Sequence, residues 1–397
     1  MTVCAIEATA KDRAMATSTG TASTQSTAEI TITADGTYAA RLTGTGEALF
    51  PERWTLDGPE PYAVPLPLGQ PEEPGTDVLP MADGRVLIRR QVAGRHTFSL
   101  LSPTGPGTGE LPLGGIEAAR LMLLPPAPDG VCAYALTPGE TSTGIWRVAG
   151  GAFGPEHVAD APGHCSGGVW LDRTGRMLAL DSRPPGGPVK AVAVDLERGG
   201  EVTPLLQITE DSDDRLLLAD PDSGLLLIRS NAPGPGQDRL GWGVLGSLLP
   251  VRFPQCLRLP DAVLTPFAVQ PGQVLTPESC AVALRIDGAQ GSWLGVWRPS
   301  GRKLSQLAAP DGWLTGSGMW SRDGVLQLPY ATRAVPCGVA RIEGADVLHP
   351  DPATEPATEP AQAEHAGGEP CYGHSGPVVC KPVPLQQAPL TGRTVRG

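Results

Sequence analysis

Gly163-His164-Cys165-Ser166-Gly167 sets a thiol beside an imidazole, the two groups a cysteine nucleophile needs. Neighbouring side chains of an extended segment point to opposite faces, so these two do not reach each other directly. The plainer reading is a polar connector. Two acidic runs, Glu210-Asp211-Ser212-Asp213-Asp214 and Asp220-Pro221-Asp222-Ser223-Gly224, could gather oxygen ligands around a hard cation such as calcium. The second puts Gly224 where a third ligand belongs, and both read more simply as solvated turns. Cys371, His374 and Cys380 could offer sulfur and nitrogen ligands, but their spacing fits no standard metal site and no fourth ligand is evident. No metal and no cofactor is expected.

Arginine gives the sharpest hint of a ligand. Arg41, Arg89 and Arg229 each follow a glycine turn by five residues, and Arg183, Arg285 and Arg333 occupy comparable strand ends. If equivalent positions share one face, these six would ring a mouth and draw an anionic ligand or acidic peptide through bidentate contacts. The competing reading is solvated strand ends. Trp54, Trp146, Trp297 and Trp320 read as core, with sugar stacking as the alternative for any exposed member. Histidine occurs only at 96, 157, 164, 349, 365 and 374, which weighs against an enzyme that converges imidazoles on one site.

The elements that must position these side chains come from a repeat. An apolar run ends in a small polar turn with glycine, and a second apolar run follows. The turn glycines are Gly36, Gly84, Gly130, Gly175, Gly224, Gly272 and Gly324, spaced 45–52 residues apart. Asp-Gly and similar pairs between apolar runs mark hairpins, because glycine accepts the positive φ the turn needs. A second glycine mark follows in each unit, as in Trp54-Thr55-Leu56-Asp57-Gly58 and Trp146-Arg147-Val148-Ala149-Gly150, with weaker copies ending at Gly105, Gly246 and Gly344. Each unit therefore reads as four strands, the size of a propeller blade. One such sheet cannot bury both faces, and stacking around an axis buries them against each other. The expectation is an all-β, seven-bladed β-propeller of four-stranded antiparallel blades, with six blades as the alternative.

These units resemble the propellers of TolB-like proteins and of the prolyl oligopeptidase family. The pattern from Leu124 to Gly130 followed by Ile145-Trp146 carries the resemblance, as does Ile32 to Gly36 with Trp54. It covers roughly 28–344 and implies fold more than function. The second unit departs from it by lacking a Trp in its third strand, and the sixth by Gln270-Pro271-Gly272 with an insertion over 273–280. The hydrolases of that family carry a G-x-S-x-G nucleophile elbow; the motif does not occur here, so the expectation is a propeller without that catalytic domain.

Composition bounds the rest. With 30 Lys plus Arg against 42 Asp plus Glu, the net charge of −12 excludes a general nucleic-acid or anionic-membrane binder. The 51 Gly and 43 Pro imply many turns, while a hydrophobic share of 40% argues against disorder throughout. Eight cysteines without a CxxC pair fit neither a zinc ribbon nor a disulfide framework. No apolar stretch is long enough for a signal core or a membrane span, so a cytoplasmic protein is expected. Residues 1–27 are expected to be disordered, 28–344 to form the propeller and 345–375 to be a Pro-rich linker. The seventh unit supplies only three strands, and 376–387 is expected to return as its outer strand within the 376–397 tail; the rival is an exposed Pro-rich docking peptide. The functional expectation is a non-catalytic, monomeric scaffold binding a protein or peptide through one face. The alternatives are a small-molecule or carbohydrate binder, or an enzyme with its site in the central funnel.

Overall fold

The computed structural model describes residues 30–46, 48–234 and 237–344. The segments 1–27 and 345–397, with Cys371, His374, Cys380 and the expected closing strand, lie outside the described residues.

Seven antiparallel sheets follow one another in chain order. Blade one is β1 (Thr31–Ile32), β2 (Tyr38–Thr45), β3 (Ala48–Thr55) and β4 (Tyr62–Pro65). Blade two is β5 (Asp77–Pro80), β6 (Val86–Val92), β7 (Arg95–Pro103) and β8 (Thr108–Glu117). Blade three is β9 (Met122–Leu123), β10 (Ala133–Pro138), β11 (Ser142–Ala149) and β12 (Glu156–Pro162). Blade four is β13 (His164–Trp170), β14 (Met177–Arg183), β15 (Lys190–Asp195) and β16 (Glu201–Leu206). Blade five has β17 (Asp214–Ala219), β18 (Leu225–Ser230) and β19 (Arg239–Val244). Blade six has β20 (Ala262–Val269), β21 (Val282–Gly288), β22 (Gly291–Trp297) and β23 (Ser305–Leu307). Blade seven has β24 (Met319–Trp320), β25 (Val325–Tyr330) and β26 (Gly338–Glu343), the three strands expected of the last unit. The fold is the expected seven-bladed propeller, and the six-bladed alternative falls away. The one departure inside a unit is blade five, whose fourth strand shrinks to a single bridge in which Trp242 and Arg252 exchange both backbone hydrogen bonds at 2.9 Å. The insertion in unit six forms a one-turn 3₁₀ helix, Pro277–Ser279.

First strands of neighbouring blades approach one another, β1 with β5, β13 with β17, β17 with β20 and β20 with β24, which sets them around the axis. Each of the seven seams between blades has its own apolar cluster. The run Leu225-Leu226-Leu227-Ile228 shows why the strands lack a clean polar-apolar alternation. Leu225 and Leu227 pack toward blade six while Leu226 and Ile228 pack toward blade four, so both faces of the strand are buried. Trp54, Trp297 and Trp320 fill seams as expected, Trp146 is half-buried, and Phe98 takes the buried place in the unit that lacks a tryptophan.

All seven turn glycines join first to second strands, with φ between +66° and +88°. Two of them also need the missing side chain for contact between blades. A Cβ on Gly36 would stand 1.8 Å from Met319 Cε of blade seven, and one on Gly130 would stand 2.4 Å from Ala82 Cβ of blade two.

Candidate functional site

Successive strands alternate in direction, so the turns between strands one and two and those between strands three and four fall on the same end of the disc. This end is called the turn face here, and its side chains stitch neighbouring blades together. Arg53 Nη1 of blade one donates to Gly84 O of blade two (3.1 Å), and Ala82 N donates to Gly130 O of blade three (3.0 Å). Gly175 of blade four lies against Pro128 of blade three. Arg173 of blade four forms a two-pronged ion pair with Asp222 of blade five. The same carboxylate accepts Gly272 N of blade six at 2.8 Å. Gln270 Nε2 of blade six donates to Arg322 O of blade seven (3.3 Å), and Met319 lies over Gly36 to return to blade one. The stitching thus runs through all seven turns. Arg173 above all holds Asp222 below the ordinary carboxylate range.

Inside this ring of turns lies a funnel of about 860 Å³, a size common for ligand sites. Inner strands of blades one, four, five, six and seven and the turn after the inner strand of blade three supply its wall, with Leu217, Leu218, Phe267 and Val269 among its apolar side chains. Only blades one and seven add residues from beyond the inner strand and its turn. These are Leu56, Asp57 and Gly58 at the end of β3, Gln327 of β25 and Arg341 of β26. Met319, Gln327 and Arg341 pair in register across blade seven and so share one face of it.

The turn face is also the apolar face. Among the described residues, twelve large apolar side chains are exposed, and eight of them sit in or beside its turns: Tyr62, Val131, Phe153, Leu245, Leu248, Leu249, Val274 and Leu275. Leu248, Phe153 and Leu275 are at least 92% exposed. The opposite end carries Val92, Val263 and Val335, and Leu111 lies on the outer strand of blade two.

The six arginines expected to ring one mouth are placed as follows. Arg41 is nearly buried, paired to Glu52 at 2.8 Å and stacked 4.8 Å over Trp54 in the seam toward blade seven. Arg89 is buried, paired to Asp77, and donates Nη1 to His96 Nδ1 at 3.2 Å. Arg229 donates to Leu264 O of blade six at 3.1 Å, and Arg285 pairs with Asp287 at 2.8 Å. Arg183, at the end of β14, and Arg333, in the loop between β25 and β26, are exposed. Four of the six are therefore committed to partners within the fold. Arg41 and Arg89 also point opposite ways: their strand neighbours Ala39 and Leu87 pack toward blade seven and toward blade three respectively.

The other chemical candidates are likewise engaged. Cys165 is fully buried on β13 with its backbone N bonded to Thr143 Oγ1 (2.8 Å), and burial pushes its thiol pKa up, which opposes a thiolate nucleophile. In the first acidic run Asp214 is fully buried and bonds Lys190 Nζ (2.8 Å), Ser230 Oγ (2.6 Å) and Ile208 N (2.9 Å). Asp213 accepts Val189 N at 2.6 Å. In the second run Asp220 accepts the hydroxyl of Ser223 at 2.6 Å, and Asp222 is the carboxylate between blades described above. These aspartates tie blades four, five and six together.

Sequence reasoning missed Asp57, Gln327 and Arg341, whose only claim is their place in the seam between first and last blades. It also missed the Arg173–Asp222 pair, although a signal existed: the partners lie 49 residues apart, one repeat length.

Comparison with protein families finds no match, and comparison with curated proteins finds none either. Solved structures do match. Prolyl oligopeptidase B from Galerina marginata superposes with a TM-score of 0.51 at 13% identity, over 80% of this chain and 48% of that one. This chain thus spans about half of that enzyme. The β-propeller domain of the trilobed protease from Pyrococcus furiosus matches at 0.48 and 11% identity, over 80% and 96% of the two chains. TolB from Acinetobacter baumannii matches at 0.40 and 10% identity, over 77% and 80%. At these identities the likeness is one of fold. Among the described residues no helix is long and apolar enough to cross a membrane.

Proposed function

We propose that this propeller is a non-catalytic scaffold that binds a protein or peptide partner through its turn face. One observation carries the reading: eight of the twelve exposed large apolar side chains among the described residues lie in or beside the turns of that face. Apolar side chains held in water are costly and are relieved by contact with a partner, and loops on a rigid frame are where recognition residues lie. The funnel wall adds aspartates and arginines that can hydrogen-bond a bound chain. The reading includes the cytoplasm as its compartment, since the five described cysteines are all unpaired and thiols stay reduced there.

Affinity capture from a lysate of the source organism tests this with matched variants. Leu248→Ser with Leu275→Ser removes a stoichiometric partner, while Val92→Ser with Val263→Ser on the opposite end retains it. Equal retention by both double variants rejects the turn face as the contact surface.

A further inference from the structure

The funnel is not seven-fold symmetric. It has a side arm where blade one faces blade seven, because only these blades contribute residues from beyond their inner strand and turn. On the blade-seven wall Arg341 is exposed and, among the described residues, has no ion pair or hydrogen bond. Gln327 lies beside it in the same row. On the blade-one wall are the Thr37 hydroxyl, already donated to Asp35, and the unpaired carboxylate of Asp57. The body of the funnel sets Leu217, Leu218, Phe267 and Val269 beside polar groups that include Asp220, Ser321 and Arg173. Arg322, another arginine of the lining, lies over Gly272 of blade six, where its charge helps to stabilise the Asp222 carboxylate. A protein of net charge −12 thus exposes a guanidinium without an ion pair in an asymmetric recess, next to the apolar side chains of the funnel wall.

We propose that this arm is a carboxylate site that anchors an acid-bearing, otherwise apolar peptide segment. Arg341 takes the carboxylate in a two-pronged contact, Gln327 adds an amide donor, and Leu217, Leu218, Phe267 and Val269 of the funnel wall take the neighbouring apolar side chains. Asp57, on the facing wall, selects against a second acid there. The inference rests on the reading of the turn face as a peptide-binding surface and names what that surface recognises.

The test uses the full chain and N-terminally fluorescein-labelled Leu-Phe-Leu-Ala in two forms, the C-terminal acid and the C-terminal amide, with binding read by anisotropy. A third probe, Leu-Phe-Glu-Ala amide, separates a side-chain acid from a chain terminus as the source of the carboxylate. At least one acid probe binds tenfold or more tighter than the Leu-Phe-Leu-Ala amide. Arg341→Gln brings that ratio to within twofold without weakening the amide, and Arg322→Gln leaves the ratio intact. Equal binding of acid and amide, no saturable binding of any probe, or an unchanged ratio in Arg341→Gln overturns the proposal. Those results are separate from the capture experiment: a partner lost with the turn-face variants keeps the scaffold reading even when the acid-to-amide ratio is one.

Discussion

Replacing Gly36 by Ala tests whether the ring is closed by its turns. Gly36 has φ +77°, and its absent Cβ would meet Met319 Cε at 1.8 Å across the junction of blades one and seven. Two effects add. The left-handed backbone costs an L-residue about 1–2 kcal/mol, and forcing a methyl into an occupied contact costs about 1–3 kcal/mol. The sum is ~2–5 kcal/mol. With an unfolding entropy of about 2.1 cal/mol/K per residue over roughly 310 residues, this corresponds to a melting temperature lower by ~3–8 °C. Calorimetry on Gly36→Ala, Met319→Ala and the double variant completes a cycle. Shortening Met319 removes the clash but not the backbone strain, so the double variant is more stable than the two single losses added together, by about 1–3 kcal/mol. Strict additivity, or a neutral Gly36→Ala, refutes the contact and with it this route of closure.

Four further outcomes follow from the same reasoning. His96 is buried, its Nε2–H donates to Ala118 O at 3.1 Å, and burial together with the Arg89 guanidinium lowers its pKa. The unfolded chain therefore binds this proton first; stability is lost as pH falls through about 6.5, and a melting-temperature series from pH 8 to 5 flattens in His96→Gln. Lys190→Met strands the fully buried Asp214 carboxylate and costs about 3–5 kcal/mol in denaturant unfolding, more than Lys190→Met with Asp214→Asn. Burial pushes the Cys132 and Cys337 thiols up to about 11, so at pH 7 peptide mapping after thiol alkylation finds both modified in the unfolded protein and neither in the native one within the same time. Trp54→Ala empties the core of the seam between blades one and seven and costs about 3–5 kcal/mol, leaving the Glu52 carboxylate that accepts Trp54 Nε1 at 2.7 Å without that donor.

The blades were legible because their turns need a residue type. A glycine with positive φ must recur wherever a tight hairpin recurs, and each expected turn joins the expected strands. The facing of the arginines was not legible, because facing depends on register, and register depends on turn length. Blade one places six residues between its last paired positions, Ile32 and Ala39; blade two places five, between Pro80 and Val86. A one-residue difference turns every later side chain to the other face, which is how Arg41 and Arg89, equally spaced from their glycines, come to face different ways. The shortened fourth strand of blade five was not legible either: the repeat implied four strands with a glycine mark at Gly246, but after it only the pairing of Trp242 with Arg252 forms. The side arm is an outcome of closure, because it joins residues roughly 300 positions apart, Asp57 and Arg341, and no local pattern signals such a pair.

The central claim is that the turn face makes the contact, and site-specific photo-crosslinking in the living source cell tests it most directly. A benzophenone side chain is placed in turn at positions 248 and 275 on the turn face, and at 92 and 263 on the opposite end, all exposed positions. The account predicts one common protein adduct from 248 and 275 and none from 92 and 263. An adduct formed only from 92 or 263, or no adduct from the turn face while the native protein still co-purifies with a partner, contradicts it.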